Sequence, residues 1–210
     1  MNPPTHPIGI LALQGDFEPH ARVLRALGAE PILVRCPEAL AGLTHLVLPG
    51  GESTTLHNLL TRFGMWDTLR ERHAAGTLVL FGTCAGAILL GRDDGTRPPR
   101  LGLLDATLER NAYGSQLASF TKPIVLDALG HDPFPCVFIR APKFTAIGPR
   151  AKVLARDGHA PILVEGEGIL AATFHPELSG DSRLHRRFLE LQPASRLSRA
   201  TQELAKGSRA

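Results

Sequence analysis

The sequence predicts an α/β chain: a doubly wound, mostly parallel sheet with helices on both faces and additional antiparallel strands in its second half. Three observations carry this. Over roughly the first ninety residues, short continuous apolar runs alternate with segments of helical period. The junctions between them hold glycine-containing turns, as strand-to-helix connections of open α/β sheets do. Beyond that point the pattern changes to short β-like runs separated by turn signals.

Each element can be justified in order. "IGILAL" (8–13) is wholly apolar, as a strand covered on both faces would be. "FEPHARVLRALG" spaces Val23, Leu24 and Leu27 helically and stops at Gly28. "PILVR" and "HLVLPGG" read as the second and third strands. "STTLHNLLTRFGMWDTLRERHAAG" is helical with a break at Gly64. "TLVLFG" is a fourth strand, and "AGAILLG" begins the next helix. The β-like runs that follow are "LGLLDATLERNAYG", "KPIVLDAL", "PCVFIRAP", "AKVLARDG", "APILVEGEG" and "ILAATFHPE". They are expected to extend the sheet with added or antiparallel strands. "RLHRRFLEL" closes with a helix. From Gln192 the text is polar and small, so residues 1–191 are expected to form one domain and 192–210 a flexible basic tail.

Net charge is +3, and its placement matters more than its size. Residues 181–210 hold seven basic and three acidic side chains, so the remaining body is nearly neutral. No basic nucleic-acid face is indicated. The three cysteines (Cys36, Cys84, Cys136) are far apart and form no CxxC pair, which suits a reducing compartment. No basic leader opens the chain and no run approaches the ~20 apolar residues of a membrane span, so a cytoplasmic location and no membrane partner are expected.

Chemistry concentrates in three places. In "LFGTCAGAIL", Cys84 ends an apolar strand and begins a helix, flanked by Gly82-Thr83 and Ala85-Gly86. That is the layout of a nucleophile elbow, with sulfur for oxygen. A helix N-terminus favours thiolate, and its free N–H groups, beginning at Ala85, can face a developing oxyanion. In "LPGGEST", Gly50 and Gly51 permit positive φ and expose backbone N–H groups, and Ser53 is a candidate N-cap. No GK[ST] follows, so this is not a Walker A loop. In "FHPE", His175 and Glu177 stand two apart after an apolar run, where an extended chain puts them on one face. Glu177 could then orient the imidazole as a triad's third member.

The other histidines lack such company. His20, His57 and His73 fall on amphipathic helices and are expected to face solvent. No HxH or HExxH spacing argues for a metal. Cys36 and Cys136 have no elbow and are read as structural. Arg110 and Arg140 each end a β-like run, where they could grip a substrate carboxylate or make a surface ion pair.

Together "LALQGD", "LPGGESTT", "GTCAGAI", "LGLLDATLERNAYGSQ", "FIRAP" and "FHPEL" resemble the triad glutaminases of the class I amidotransferases. More narrowly, from about Ile8 to Leu191 the chain looks like the glutaminase subunits of pyridoxal 5′-phosphate synthase, the PdxT family, with their flavodoxin-like fold. The resemblance implies Cys84 as nucleophile, with His175 and Glu177 completing the triad, and an oxyanion site at Gly51 and Ala85. It implies glutamine contacts from Gly51, Glu52, Ser53, Arg110, Ile139 and Arg140. Gln14 is implied near the oxyanion region and the partner interface. It further implies no cofactor, glutamine hydrolysis for vitamin B6 biosynthesis, and transfer of the ammonia to a (β/α)8-barrel synthase subunit that assembles as a dodecamer. Two departures from the family stand out: in its RNxFGRQxDSF pattern Ser115 replaces the common arginine and Ala118 the common aspartate, and the tail after Leu191 is unmatched. A glutaminase serving another acceptor synthase, and a partner-independent cysteine hydrolase, are the alternative readings.

Overall fold

The computed structural model describes residues 7–95, 98–110 and 119–193. A seven-stranded sheet in the order β2-β1-β3-β4-β11-β10-β9 forms the centre. Its parallel half comprises β1 (Ile8–Leu11), β2 (Ile32–Val34), β3 (His45–Leu48) and β4 (Val79–Thr83). Strand β11 (Ile169–Ala172) adds to β4 in parallel. Strands β10 (Ala160–Gly166) and β9 (Lys152–Asp157) then continue antiparallel. The expected extension of the sheet is thus real for these two strands. It does not hold for β5 (Ala106–Glu109) with β8 (Lys143–Ile147), or for β6 (Ser119–Ile124) with β7 (Phe134–Ile139). Those pairs form separate two-stranded antiparallel ribbons.

Period-2 alternation sorts each central strand between two cores. Leu46, Leu48 and Leu80 pack with Leu56 and Leu60 of α2 (Ser53–Arg62), Met65 and Leu69 of α3 (Met65–Ala74), and α4 (Ala85–Leu90). Val47, Val79 and Phe81 point the other way. They meet Ala21 and Leu24 of α1 (Phe17–Ala26), Leu184 and Phe188 of α5 (Arg183–Glu190), and Phe134 and Phe138 of β7. The long predicted helix over 53–76 breaks where expected, with Gly64 left-handed at φ 65° between α2 and α3. Helix α4 is buried on every side, which explains why it carries no polar stripe.

The chain order places four loops at one edge. Strands β1, β3, β4 and β11 all end at the same side of the sheet, and the order reverses between β1 and β3. In open α/β sheets, that crevice outside the carboxyl ends of the strands is where ligands bind. Residues 111–118, which contain Ser115 and Ala118, and the tail from residue 194 lie outside the described residues.

Candidate active site

Cys84 sits at the apex of the β4–α4 turn with φ 48° and ψ −106°. Among the described residues, the non-glycine positions with positive φ are Cys84 and Arg140, and both line the same cavity. Such backbone costs of order 1–3 kcal/mol and persists only where the surroundings enforce it. Here the Cys84 N–H donates to the Ala172 carbonyl across the sheet at 2.9 Å. The flanking glycines answer to packing. A Cβ at Gly86 would overlap the Leu48 carbonyl oxygen, and one at Gly82 would press on the backbone of Gly86 and Ala87. Helix α4 can therefore lie close against β3 only without side chains there, and that closeness aims the sulfur at the loop after β3.

His175 reaches the sulfur from the far side. Its N–H donates to the Val137 carbonyl at 2.8 Å, tying it to β7. It lines the same cavity as Cys84, whose sulfur acts on its protonation and whose thiol is set toward the Ile139 carbonyl at 4.0 Å. Its Nδ1 lies 2.7 Å from Glu177 Oε1. The pairing is not made by an extended strand, as spacing alone suggested. Strand β11 ends at Ala172, and Pro176 opens a one-turn 3₁₀ helix, Pro176–Leu178, that folds Glu177 back onto the ring. His175 and Glu177 are both buried. Burial pulls the imidazole pKa down, but hydrogen bonds to Cys84 and Glu177 and their charges outweigh it, raising His175 to about 10. Burial pushes the Glu177 carboxyl up, and the His175 ring pulls it back in part.

These groups open onto a cavity of about 390 Å³, lined by Asp16, Gly51, Glu52, Ser53, Cys84, Ala85, Ile88, Arg110, Ile139, Arg140 and His175. That volume lies at the small end of the range for ligand pockets. Every sequence-expected residue except Glu177 and Gln14 thus lines it. Glu177 stands behind His175. Gln14 stands behind the β3–α2 loop: its Oε1 accepts from the Glu52 N–H at 3.3 Å, and its Nε2 donates to the Glu52 carbonyl at 3.2 Å. Gln14 fixes this loop from the back and contributes none of the cavity wall. Of the paired glycines, Gly51 alone has positive φ, at 145°. Gly50 answers to the histidine instead, since a Cβ there would lie 2.5 Å from His175 Cε1.

Three expectations need correction. The N-cap of α2 is Glu52, not Ser53: its longer carboxylate accepts from both Thr54 N–H (3.0 Å) and Thr55 N–H (2.6 Å). Partial burial opposes ionisation of Glu52, but those N–H donors hold its carboxyl at about 2. Arg110 donates to Glu52 Oε1 and Thr54 Oγ1, each at 3.2 Å, so cap and cation meet at the cavity mouth. His20 does not face solvent; it is fully buried against Thr83 and His185. His57 and His73 are half-buried. Cys36 is exposed, while Cys136 is buried and its thiol is pushed up to about 12 by burial and the nearby Asp157 charge.

Sequence reasoning missed Asp16 and Ile88. Asp16 Oδ2 lies 3.5 Å from His175 Nδ1, on the cavity side. Asp16, His175 and Glu177 form, among the described residues, one cluster of atoms within 4.8 Å that could hold a cation. Its central nitrogen is the one already engaged by Glu177, so the cluster is part of the Cys-His-Glu arrangement. No helix among the described residues is long and apolar enough to cross a membrane.

This geometry suits acyl transfer from a small polar substrate: a nucleophile at an elbow, an oriented imidazole, backbone N–H groups at a helix start, and two arginines at the rim. Known proteins of like sequence agree. The pyridoxal 5′-phosphate synthase subunit PdxT of Deinococcus radiodurans is 53% identical over 191 residues, covering 88% of this chain and 96% of that protein. The subunit of the same name from Thermus thermophilus is 52% identical over 186 residues, again covering 88% and 96%. The crystal structure of a glutamine amidotransferase superposes with a TM-score of 0.83 at 49% identity, covering 87% of this chain and 97% of that one. The model of the SNO glutamine amidotransferase family matches residues 10–192, and the chain belongs to that family.

Proposed function

We propose that this chain is the glutaminase subunit of a pyridoxal 5′-phosphate synthase, hydrolysing L-glutamine to L-glutamate and ammonia. The single observation that carries the chemistry is the thiol of Cys84, strained at its elbow, in one cavity with a His175 ring that Glu177 orients. The acceptor reading is supported by the relatives named PdxT at about half identity along nearly their whole length.

The Cys84 thiolate attacks the side-chain carboxamide carbon. The carbonyl π pair moves onto oxygen, where the N–H groups of Gly51 and Ala85 receive it. One well-placed donor of this kind is worth roughly 3 kcal/mol. The tetrahedral adduct collapses as the C–N bond breaks, and the His175 imidazolium gives its proton to the departing ammonia. Neutral His175 then takes a proton from water, which attacks the γ-glutamyl thioester and releases glutamate and thiolate. Arg110 and Arg140, at the rim, suit the substrate α-carboxylate, while Glu52 and Asp16 on the same wall suit its ammonium. No cofactor or metal takes part in this scheme. Gln14 holds the Gly51 loop, so a partner docking beside it could set the oxyanion donors. Residues 1–191 act as the glutaminase unit, in the cytoplasm, and the acceptor is a barrel-shaped synthase subunit assembled as a dodecamer.

The test is ammonia release from glutamine with and without the cognate synthase, for wild type and Cys84→Ala. Release that rises with the synthase and vanishes in Cys84→Ala supports the proposal. Full-rate release by the isolated chain rejects partner control, and no release in either state rejects the activity.

A further inference from the structure

Behind the Cys84–His175–Glu177 row the structure continues with groups that the hydrolysis scheme does not use. Glu177 Oε2 is fully buried and has no aligned hydrogen-bond donor. The polar atom set against it is His20 Nε2, 3.3 Å away, on α1. The same nitrogen lies 3.1 Å from Thr83 Oγ1, the residue before the nucleophile. His20 Nδ1 is 2.8 Å from Nε2 of His185, on α5. His20 and His185 are completely buried, and both pack edge-on against Phe81. Helix α1 thus sends His20 to the back of the carboxylate, and α5, far away in sequence, sends His185 to the back of His20.

The hydrogen-bond inventory selects a tautomer. If His20 carried its proton on Nδ1, its Nε2 lone pair would face the lone pairs of Glu177 Oε2. His185 would then have to accept at Nε2, leaving its own Nδ1–H as an unpaired buried donor, since Nδ1 has no partner. With the proton on Nε2, His20 presents a donor to Glu177 Oε2 and Thr83. His185 Nε2–H donates to His20 Nδ1, and its bare Nδ1 is the less costly kind of orphan. Burial keeps both rings uncharged: it lowers His20 well below its ordinary value, helped by the neighbouring His185 and His175 charges, and lowers His185 to about 3. A carboxylate that is 2.7 Å from an imidazole on one oxygen needs a donor on the other to stay ionised inside the protein.

We propose that His20 is a positioning residue for the Cys-His-Glu triad: its Nε2–H serves the inner oxygen of Glu177, with its tautomer set by His185. The groups that face Glu177 are then His175 and Asp16 on the cavity side and His20 behind. His20 is faced by Thr83 from β4 and His185 from α5. This rests on the glutaminase reading for its kinetic readout.

The test compares His20→Gln, whose amide N–H can replace Nε2–H, with His20→Leu, which removes it. Ammonia release is measured across pH with the synthase present, and the His175 Nδ1 proton is followed by NMR in the full chain. Losing the polar N–H set 3.3 Å from a buried carboxylate oxygen is expected to lower kcat about 10- to 100-fold in His20→Leu, with KM within about twofold. The alkaline limb should move to lower pH and the Nδ1 proton upfield, and His20→Gln should recover most of each. If His20→Leu does not fold, His185→Met, which frees the tautomer, should shift limb and resonance the same way. Unchanged limb and resonance in these variants, or equal losses in His20→Gln and His20→Leu, would overturn the proposal. An inactive wild type would overturn the glutaminase reading alone, because the resonance still reports on His20.

Discussion

Replacing Glu177 by glutamine probes the engine of the site with little change in shape. The wild-type imidazole is lifted from 6.5 to about 10 against its own burial, by hydrogen bonds to Cys84 and Glu177 and by their charges. At 1.36 kcal/mol per unit, that lift is worth about 5 kcal/mol. Removing the Glu177 charge forfeits part of that lift, so the imidazolium that protonates the leaving ammonia is lost at lower pH than in wild type. Glutamine can also turn its amide N–H₂ toward Nδ1 and stabilise the wrong tautomer. In a serine triad the comparable neutral substitution costs about 10⁴-fold. Glu177→Gln is therefore expected to lower kcat by about 10² to 10⁴, with KM little changed, and to bring the alkaline limb down from near 10. Stability follows with a definite sign. A folded pKa raised above the unfolded one contributes stability that is fully present below about pH 6.5 and is lost as pH rises toward 10. Urea denaturation should show wild type weakening across that window and Glu177→Gln weakening less and over a narrower range, since the Cys84 contribution remains. Activity within threefold of wild type at pH 8, together with an unmoved alkaline limb, would refute this reasoning.

The remaining predictions concern the scaffold around the sulfur. Cys84→Gly abolishes ammonia release yet raises stability by about 1 kcal/mol, because glycine accepts φ 48° without strain; calorimetry of the two chains checks it. Gly86→Ala drives a Cβ into the Leu48 carbonyl and is expected to cost 3 kcal/mol or more, since backbone cannot rotate away; the denaturation midpoint reads this directly. Gln14→Ala removes both side-chain bonds that hold Glu52 from behind. It should lower kcat about 10- to 100-fold with the fold intact, and circular dichroism alongside the ammonia assay separates the two.

The sequence showed the parts of this site that depend on short-range pattern. The strand–Cys–helix elbow, the Gly-Gly loop and the His-x-Glu pair were all visible as local spacing, and their order predicted the doubly wound half of the sheet. What it hid depends on distant segments meeting. His20 has the period of an amphipathic surface helix, and only the arrival of α5 with His185 buries it. Asp16 reads as a turn residue until β11 delivers His175 beside it. The strand Lys143–Ile147 was missed because its partner, Ala106–Glu109, lies some forty residues away and no turn signal joins them. Ser53 was preferred to Glu52 as a cap on propensity, but a charged group that reaches two N–H donors and Arg110 overrides it.

The most direct measurement uses a glutamine-shaped electrophile, with adducts located by mass spectrometry after exposure in the presence of the synthase. The account predicts one adduct, on Cys84, prevented by excess glutamine and lost in His175→Ala, with exposed Cys36 and buried Cys136 unmodified by the same reagent. Labelling of Cys36 at the same rate, or a Cys84 adduct that glutamine does not prevent, would contradict it.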